Sequence, residues 1–153
     1  MGEKNMIKAA KKSDLKKIVA MKLEMFREAG VDEGLSNNVE IEILKTYNKL
    51  YSNNKMKHFI IQKEDEIVAC AGGFIKDDIP HLFFKPSFYG FIGDVYTYPQ
   101  HRKKGFATKL TKRVIKWLKE KNVVTIRLFT SQAGKKIYQK LGFEMSDEMI
   151  LKL

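Results

Sequence analysis

The chain has 153 residues, 44% hydrophobic and 31% charged, with 29 Lys plus Arg against 18 Asp plus Glu and a formal net charge of +11. That length suits one domain, taken here as 1–153, which buries roughly 70% of its unfolded surface without a disulfide or metal staple. The single cysteine (Cys70), the absence of any apolar run of the roughly 18 residues that span a bilayer, and no apolar leader in residues 1–5 make a cytoplasmic protein the expectation.

Residues 6–10 form a short apolar stretch suited to a first strand. Ser13 offers a helix N-cap, and Leu15, Ile18, Val19, Leu23 and Phe26 recur at helical spacing, so residues 14–29 read as an amphipathic helix closed by Gly30. Ile43, Tyr47, Leu50 and Tyr51 stripe a second helix that Asn53 and Asn54 end. The period then changes. Residues 58–63 and 67–75 are β-rich runs flanking a turn at 64–66, and Gly72-Gly73 inside the second run signals a bulge or a close backbone contact. Residues 77–87 read as a loop with Pro80 and Pro86, and 89–98 as an aromatic strand ended by Pro99. Helical spacing returns through Ala107, Leu110, Val114, Trp117 and Leu118. A strand over 123–129, a short helix over 133–141 capped by Gly142, and a closing strand over 148–153 complete the chain. The order is that of a mixed α/β domain with a mostly antiparallel sheet and one strand–helix–strand crossover.

The chemistry concentrates in residues 94–108. A strand ends at proline, a basic turn follows, and Gly105 opens a helix whose early positions are small. Such a turn cradles anions: the first-turn amides point outward, the helix dipole adds positive character, and Arg102, Lys103 and Lys104 supply full charges. A basic surface turn of no further consequence has the same spacing. The excess positive charge agrees with an anionic partner and does not choose between nucleic acid, membrane and a phosphate-bearing cofactor.

Arg102-Lys103-Lys104-Gly105-Phe106-Ala107 resembles the R/Q-x-x-G-x-G/A signature of the GNAT superfamily of N-acetyltransferases, preceded here by Val95-Tyr96-Thr97-Tyr98-Pro99 and followed by a long amphipathic helix. The stretch from Ala133 to Phe143, with Tyr138 and a terminal Leu141-Gly142-Phe143, resembles the second motif of that superfamily, and Thr130-Ser131-Gln132-Ala133-Gly134 together with Glu148-Met149 resembles an uncharacterised bacterial branch of it. The resemblance implies a mixed sheet flanked by helices, with the fourth and fifth strands splayed apart. It implies acetyl-CoA as donor and a small-molecule or protein amine as acceptor, with no metal, no membrane and room for a homodimer. The pantetheine arm would pair with the backbone at Val95, Tyr96 and Thr97, and the pyrophosphate would rest on the amides from Lys103 through Gly105, Phe106 and Ala107 to Thr108. Tyr138 would give a proton to the departing thiolate. A phenol titrating near about 10 holds that proton at neutral pH, and general-acid help is worth about 10²–10⁴-fold. A backbone N–H near Val95 would stabilise charge on the thioester oxygen.

The base is less evident. Asp94 stands in the right strand as base or acceptor contact, against a structural hydrogen-bonding role, and Gly93 replaces the glutamate that polyamine-type members pair with it. The fifth strand offers no glutamate. His58, His81 and His101 read as surface histidines, His81 being the best candidate among them for a base. Ser131 stands where many members carry a pantetheine-binding asparagine and supplies one hydroxyl instead. Cys70, in an apolar run with no base nearby, reads as a buried core residue rather than an acyl carrier. Phe83, Phe84, Phe88, Tyr89 and Phe91 are either packing or an acceptor-pocket wall. Asp32, Glu33, Glu40 and Glu42 gather near the loop between the first two helices. Two other readings compete. One is a catalytically silent acyl-CoA sensor. The other is a nucleic-acid-binding module built on the basic stretch from Arg102 to Lys121, whose lysines alternate with apolar residues as a solvated helix face would.

Overall fold

A computed structural model describes residues 7–79 and 87–153. His81, Phe83, Phe84, Pro80 and Pro86 lie outside those residues. The elements are β1 (Ile7–Ala9), α1 (Leu15–Glu28), α2 (Val39–Ser52), β2 (Met56–Lys63), β3 (Glu66–Asp77), β4 (Phe88–Thr97), α3 (Phe106–Glu120), β5 (Ile126–Leu128) and α4 (Lys135–Lys140). The sheet runs β1-β2-β3-β4-β5, antiparallel throughout except for the parallel pair β4 and β5.

Local sequence explains most of these elements. Glu64 and Asp65, with φ of 49° and 66°, form a two-residue hairpin turn between Lys63 and Glu66, the left-handed pair that matches strand twist. Phe106, Leu110, Thr111, Val114, Trp117 and Leu118 are the buried side of α3, a stripe at helical period that packs across β2, β3 and β4. The Gly72-Gly73 pair makes the close contacts, while the bulge beside it lies in β4, opposite Ala71. A Cβ on Gly73 would lie 2.8 Å from Val114 Cγ1, so α3 can approach the sheet only over a bare backbone. A Cβ on Gly72 would lie 2.8 Å from His58 Nε2, on the opposite face.

Two apolar layers result. Phe59, Ile61, Val68, Ile92, Leu110 and Trp117 belong to the core between the sheet and α3. Leu15, Ile18, Met21, Tyr47, Ile60 and Tyr96 belong to the one between the sheet and α1 with α2. Residue identity alternates between the layers along β2 and β4, as strand geometry requires.

Three expectations are corrected. Ser13 does not cap α1; it sits in a 3₁₀ turn, and the carboxylate of Asp14 instead accepts from Lys11 N at 2.8 Å. The strand expected over 123–129 forms only at Ile126–Leu128. The closing strand over 148–153 does not form, and Met149, Ile150, Leu151 and Leu153 are exposed. A strand exists by pairing, and alternating sequence does not create a partner. With β5 only three residues long, the ladder ends before this segment.

Candidate active site

The pairing of β4 with β5 covers only Gly90, Ile92 and the residue between them, against Ile126–Leu128. Beyond Ile92 the pairing ends with β5 at Leu128, and β4 continues to Thr97 with no strand partner on that side among the described residues, which leaves a run of main chain open there. At the same place β4 is bulged. Cys70 pairs with Tyr96 and Gly72 with Gly93, so Asp94 and Val95 together oppose Ala71, and Asp94 takes a φ of 55°.

The basic turn lies immediately after this open run. A 3₁₀ turn over Pro99–His101 follows Tyr98, then Lys103 (φ 63°) and Gly105 (φ 77°) swing the chain into α3. The glycine is required by that dihedral, since a Cβ would meet nothing within 4 Å. The space before the turn is therefore open. Phe106 is buried and pins the helix, while Lys103, Lys104 and Gly105 are exposed. The first intrahelical bond is Lys109 N–H to Gly105 O at 3.1 Å, which leaves the amides of Phe106, Ala107 and Thr108 ahead of the ladder. These groups fit a phosphate: bare amides, a positive helix end and two exposed lysines.

Arg102 does a different job from that expected of a rim charge. Its Nε donates to Thr97 O at 2.8 Å, and NH2 donates to both oxygens of Glu28 at 3.0 and 2.7 Å. Tyr96 also donates to Glu28, at 2.6 Å, so the end of α1 is tied to the end of β4. The hydrogen bond from Tyr96, then that from Arg102, holds the Glu28 carboxyl below its ordinary range.

On α4, Tyr138 is half-buried, its ring edge-on to Phe143 at 5.9 Å, and burial raises its pKa. Gly134 makes room for that ring, as a Cβ there would sit 3.1 Å from Tyr138 Cε2. Ser131 Oγ accepts from Gly134 N–H at 3.1 Å and keeps its own proton for another acceptor.

The opposite face of β4 carries a polar cluster inside the α1–α2 layer. Asp94 is 3% exposed. Lys22 Nζ donates to its Oδ1 at 2.5 Å, and Tyr47 Oη (2.5 Å) and His58 Nε2 (2.8 Å) donate to its Oδ2. Tyr51 Oη accepts from His58 N–H at 2.9 Å and lies 2.8 Å from His58 Nδ1. Because that hydroxyl already accepts, its proton is left for Nδ1, and the cluster is satisfied by the Nε2–H tautomer of His58. Burial by itself would raise the Asp94 pKa. The hydrogen bond from His58 and the Lys22 charge outweigh it and hold the carboxylate well below its usual range. Beside this cluster lies a cavity of about 360 Å³, bordered by Lys22, Gly93 and Asp94 and walled by α2 and by Phe74 and Phe91.

His58 corrects the expectation of a surface histidine: it is fully buried. Its alternation with Met56 and Ile60 along β2 places it on the α1–α2 face, which was the available signal. Lys22 also escaped notice, although it continues the stripe of Leu15, Ile18 and Val19 as a charge on an apolar face. Phe91 and Glu42 border the cavity, whereas Phe88 packs against the α3 core and Tyr89 lies under the Arg127 guanidinium. Cys70 is buried, and burial raises its thiol pKa, as befits a core residue.

A mixed five-stranded sheet with its parallel pair parting beside an amide-lined helix start is the architecture of the acyl-CoA N-acyltransferases. The chain belongs to the acetyltransferase (GNAT) family, whose model matches residues 14–143. A predicted acetyltransferase from Clostridium acetobutylicum, solved with acetyl-CoA, is similar over 97% of this chain and 95% of its own, at TM-score 0.83 and 27% identity. A GCN5-related N-acetyltransferase from Ralstonia eutropha shares the fold over 97% of both chains at TM-score 0.84 and 19% identity. An aminoglycoside 6'-N-acetyltransferase from Acinetobacter haemolyticus does so over 97% of both at TM-score 0.70 and 18% identity. No curated protein sequence matches the chain.

Proposed function

We propose that the protein is an N-acetyltransferase that uses acetyl-CoA as donor and a primary amine as acceptor. The observation that carries this reading is the parting of β4 from β5 after Ile92, directly beside the open amides at the start of α3. Acetyl-CoA, when bound, supplies the activated acetyl group. The amides from Lys103 to Thr108 would hold its pyrophosphate, the β5-side main chain of the stretch Val95, Tyr96 and Thr97 its pantetheine arm, with Thr97 O already accepting from Arg102 Nε, and Ser131 Oγ–H one further polar contact. Arg102 contributes by bracing this end of β4 against Glu28.

In this reading Tyr138 Oη keeps its proton through neutral pH, because burial raises its pKa, and serves as the proton donor to the departing thiolate. The amine attacks directly, its contribution from the protein being position and alignment. Asp94 is the acidic residue on β4 at the site, but both its oxygens are engaged and its basicity is low. Its part is to hold Lys22 and Tyr47 at the cavity wall and to bond the buried His58.

Calorimetry with acetyl-CoA and a thiol-release assay across a panel of amines test the reading. Saturable binding with thiol released by at least one amine supports it. No binding at millimolar acetyl-CoA overturns it, and binding without turnover on any amine leaves only a silent acyl-CoA sensor.

A further inference from the structure

The cavity beside the β4 bulge constrains the acceptor, given the function proposed above. Gly93 and Asp94, which border it, follow directly after Ile92, the last residue of β4 paired with β5. Its walls are mostly apolar: Val39, Ile43 and Leu50 from α2, Phe74 from β3 and Phe91 from β4. About 150 Å³ of apolar space accommodates a benzene ring, so the 360 Å³ present here takes an apolar body of at most about two such rings, or a branched chain of similar size.

Its charges point the same way. Asp94 has no face left for a ligand cation, with Lys22 on Oδ1, Tyr47 and His58 on Oδ2, and a side chain 1% exposed. Lys22, 20% exposed, is the member of that pair a ligand meets. Lys76 Nζ lies 4.1 Å from the Phe91 ring centroid and occupies the aromatic face that a ligand ammonium would otherwise use. Among the described lining residues, Glu42 is the one carboxylate without such a partner. A ligand with several ammonium groups therefore meets Lys76, a Lys22–Asp94 pair that is already closed, and one carboxylate, Glu42. A ligand with one reacting amine and an apolar body meets matching surface.

We propose that the acceptor is a monoamine with a compact aromatic or branched aliphatic body, and that the site discriminates against polyamines and aminoglycosides. The aminoglycoside acetyltransferase that shares the fold at 18% identity does not bear on this choice.

The test compares 2-phenylethylamine and isoamylamine with spermidine and kanamycin. It uses thiol release with acetyl-CoA and calorimetric binding of each amine to the cofactor-free protein. Each apolar methylene seated is worth about tenfold or more, so kcat/KM and affinity for the two monoamines should exceed those for the polycations by at least about 100-fold. Phe91→Ala should raise the monoamine KM about tenfold with acetyl-CoA affinity unchanged. Lys76→Glu, an exposed change that does not threaten folding, should narrow the gap by improving spermidine use. Equal or better use of spermidine or kanamycin by the wild type overturns the acceptor class and leaves the acetyltransferase reading standing. Failure to bind acetyl-CoA, or no thiol from any amine, overturns that reading and this inference with it.

Discussion

At Tyr138 Oη the proton is kept by burial, since charging a phenol in a half-apolar setting is unfavourable. Tyr138→Phe should therefore lower kcat by about 100-fold while acetyl-CoA affinity, measured by calorimetry, stays within about twofold. Unchanged turnover would remove Tyr138 from the chemistry. Asp94 makes the opposite use of its surroundings. Its pKa is lowered in the folded chain, so between that value and the unfolded value of about 3.9 the unfolded state binds more protons. Stability from this group is complete above about pH 5 and is lost as pH falls below about 4. Asp94→Asn should flatten that acid limb in urea unfolding followed from pH 7 to pH 2. It should also cost about 3 kcal/mol at neutral pH by leaving Lys22 without its counter-charge. The motif tyrosine was legible because its neighbours announce it. The partners of Asp94 were not, because Lys22, Tyr47 and His58 come from three separate elements that meet only after folding.

At the scale of elements, α3 is the clearest case of agreement between sequence and structure. Its apolar stripe, its opening glycine and the proline before the turn all state one geometry. Gly105→Ala would force an L side chain into the left-handed region at a cost of about 1–2 kcal/mol. The chain would relieve that strain by rotating the turn amides, so we expect a lower urea midpoint and acetyl-CoA binding weakened about tenfold. Unaltered affinity would show that the turn does not hold the cofactor. At β3 the demand is steric instead. Gly72→Ala would press on His58 Nε2, which also bonds Asp94, so the acid limb should shift with it. The missing last strand shows the limit of local reading: residues 148–153 carry a short apolar run suited to a strand, but an edge to pair with is supplied by the sheet and not by the segment.

For the whole molecule, the net charge of +11 has one structured use. Lys103 and Lys104 flank the exposed turn at the start of α3, where a pyrophosphate would rest, while Arg102 is paired with Glu28. Binding carried in part by exposed lysines is screened as the Debye length shrinks from about 10 Å at 0.1 M salt. The acetyl-CoA dissociation constant should accordingly rise from 0.05 to 0.5 M salt, by calorimetry at both; a flat response would place the charge outside the cofactor site. The ligand should also stabilise the fold, by about 2.7 kcal/mol at a hundredfold excess over its dissociation constant, visible as a rise in Tm.

Periodicity, turn chemistry and two spaced motifs were enough to point to the family and the order of nearly all elements, and to mark the turn proposed to hold a phosphate, because each of these is written in neighbours along the chain. The charge balance of the cavity beside β4 was decided by tertiary structure alone. Whether Asp94 is a free base or a committed counter-ion depends on a bulge that aims it at α1 and α2, and on partners brought from Lys22, Tyr47 and His58. Its electrostatic character is set by distance and burial, and neither is a property of spacing in sequence.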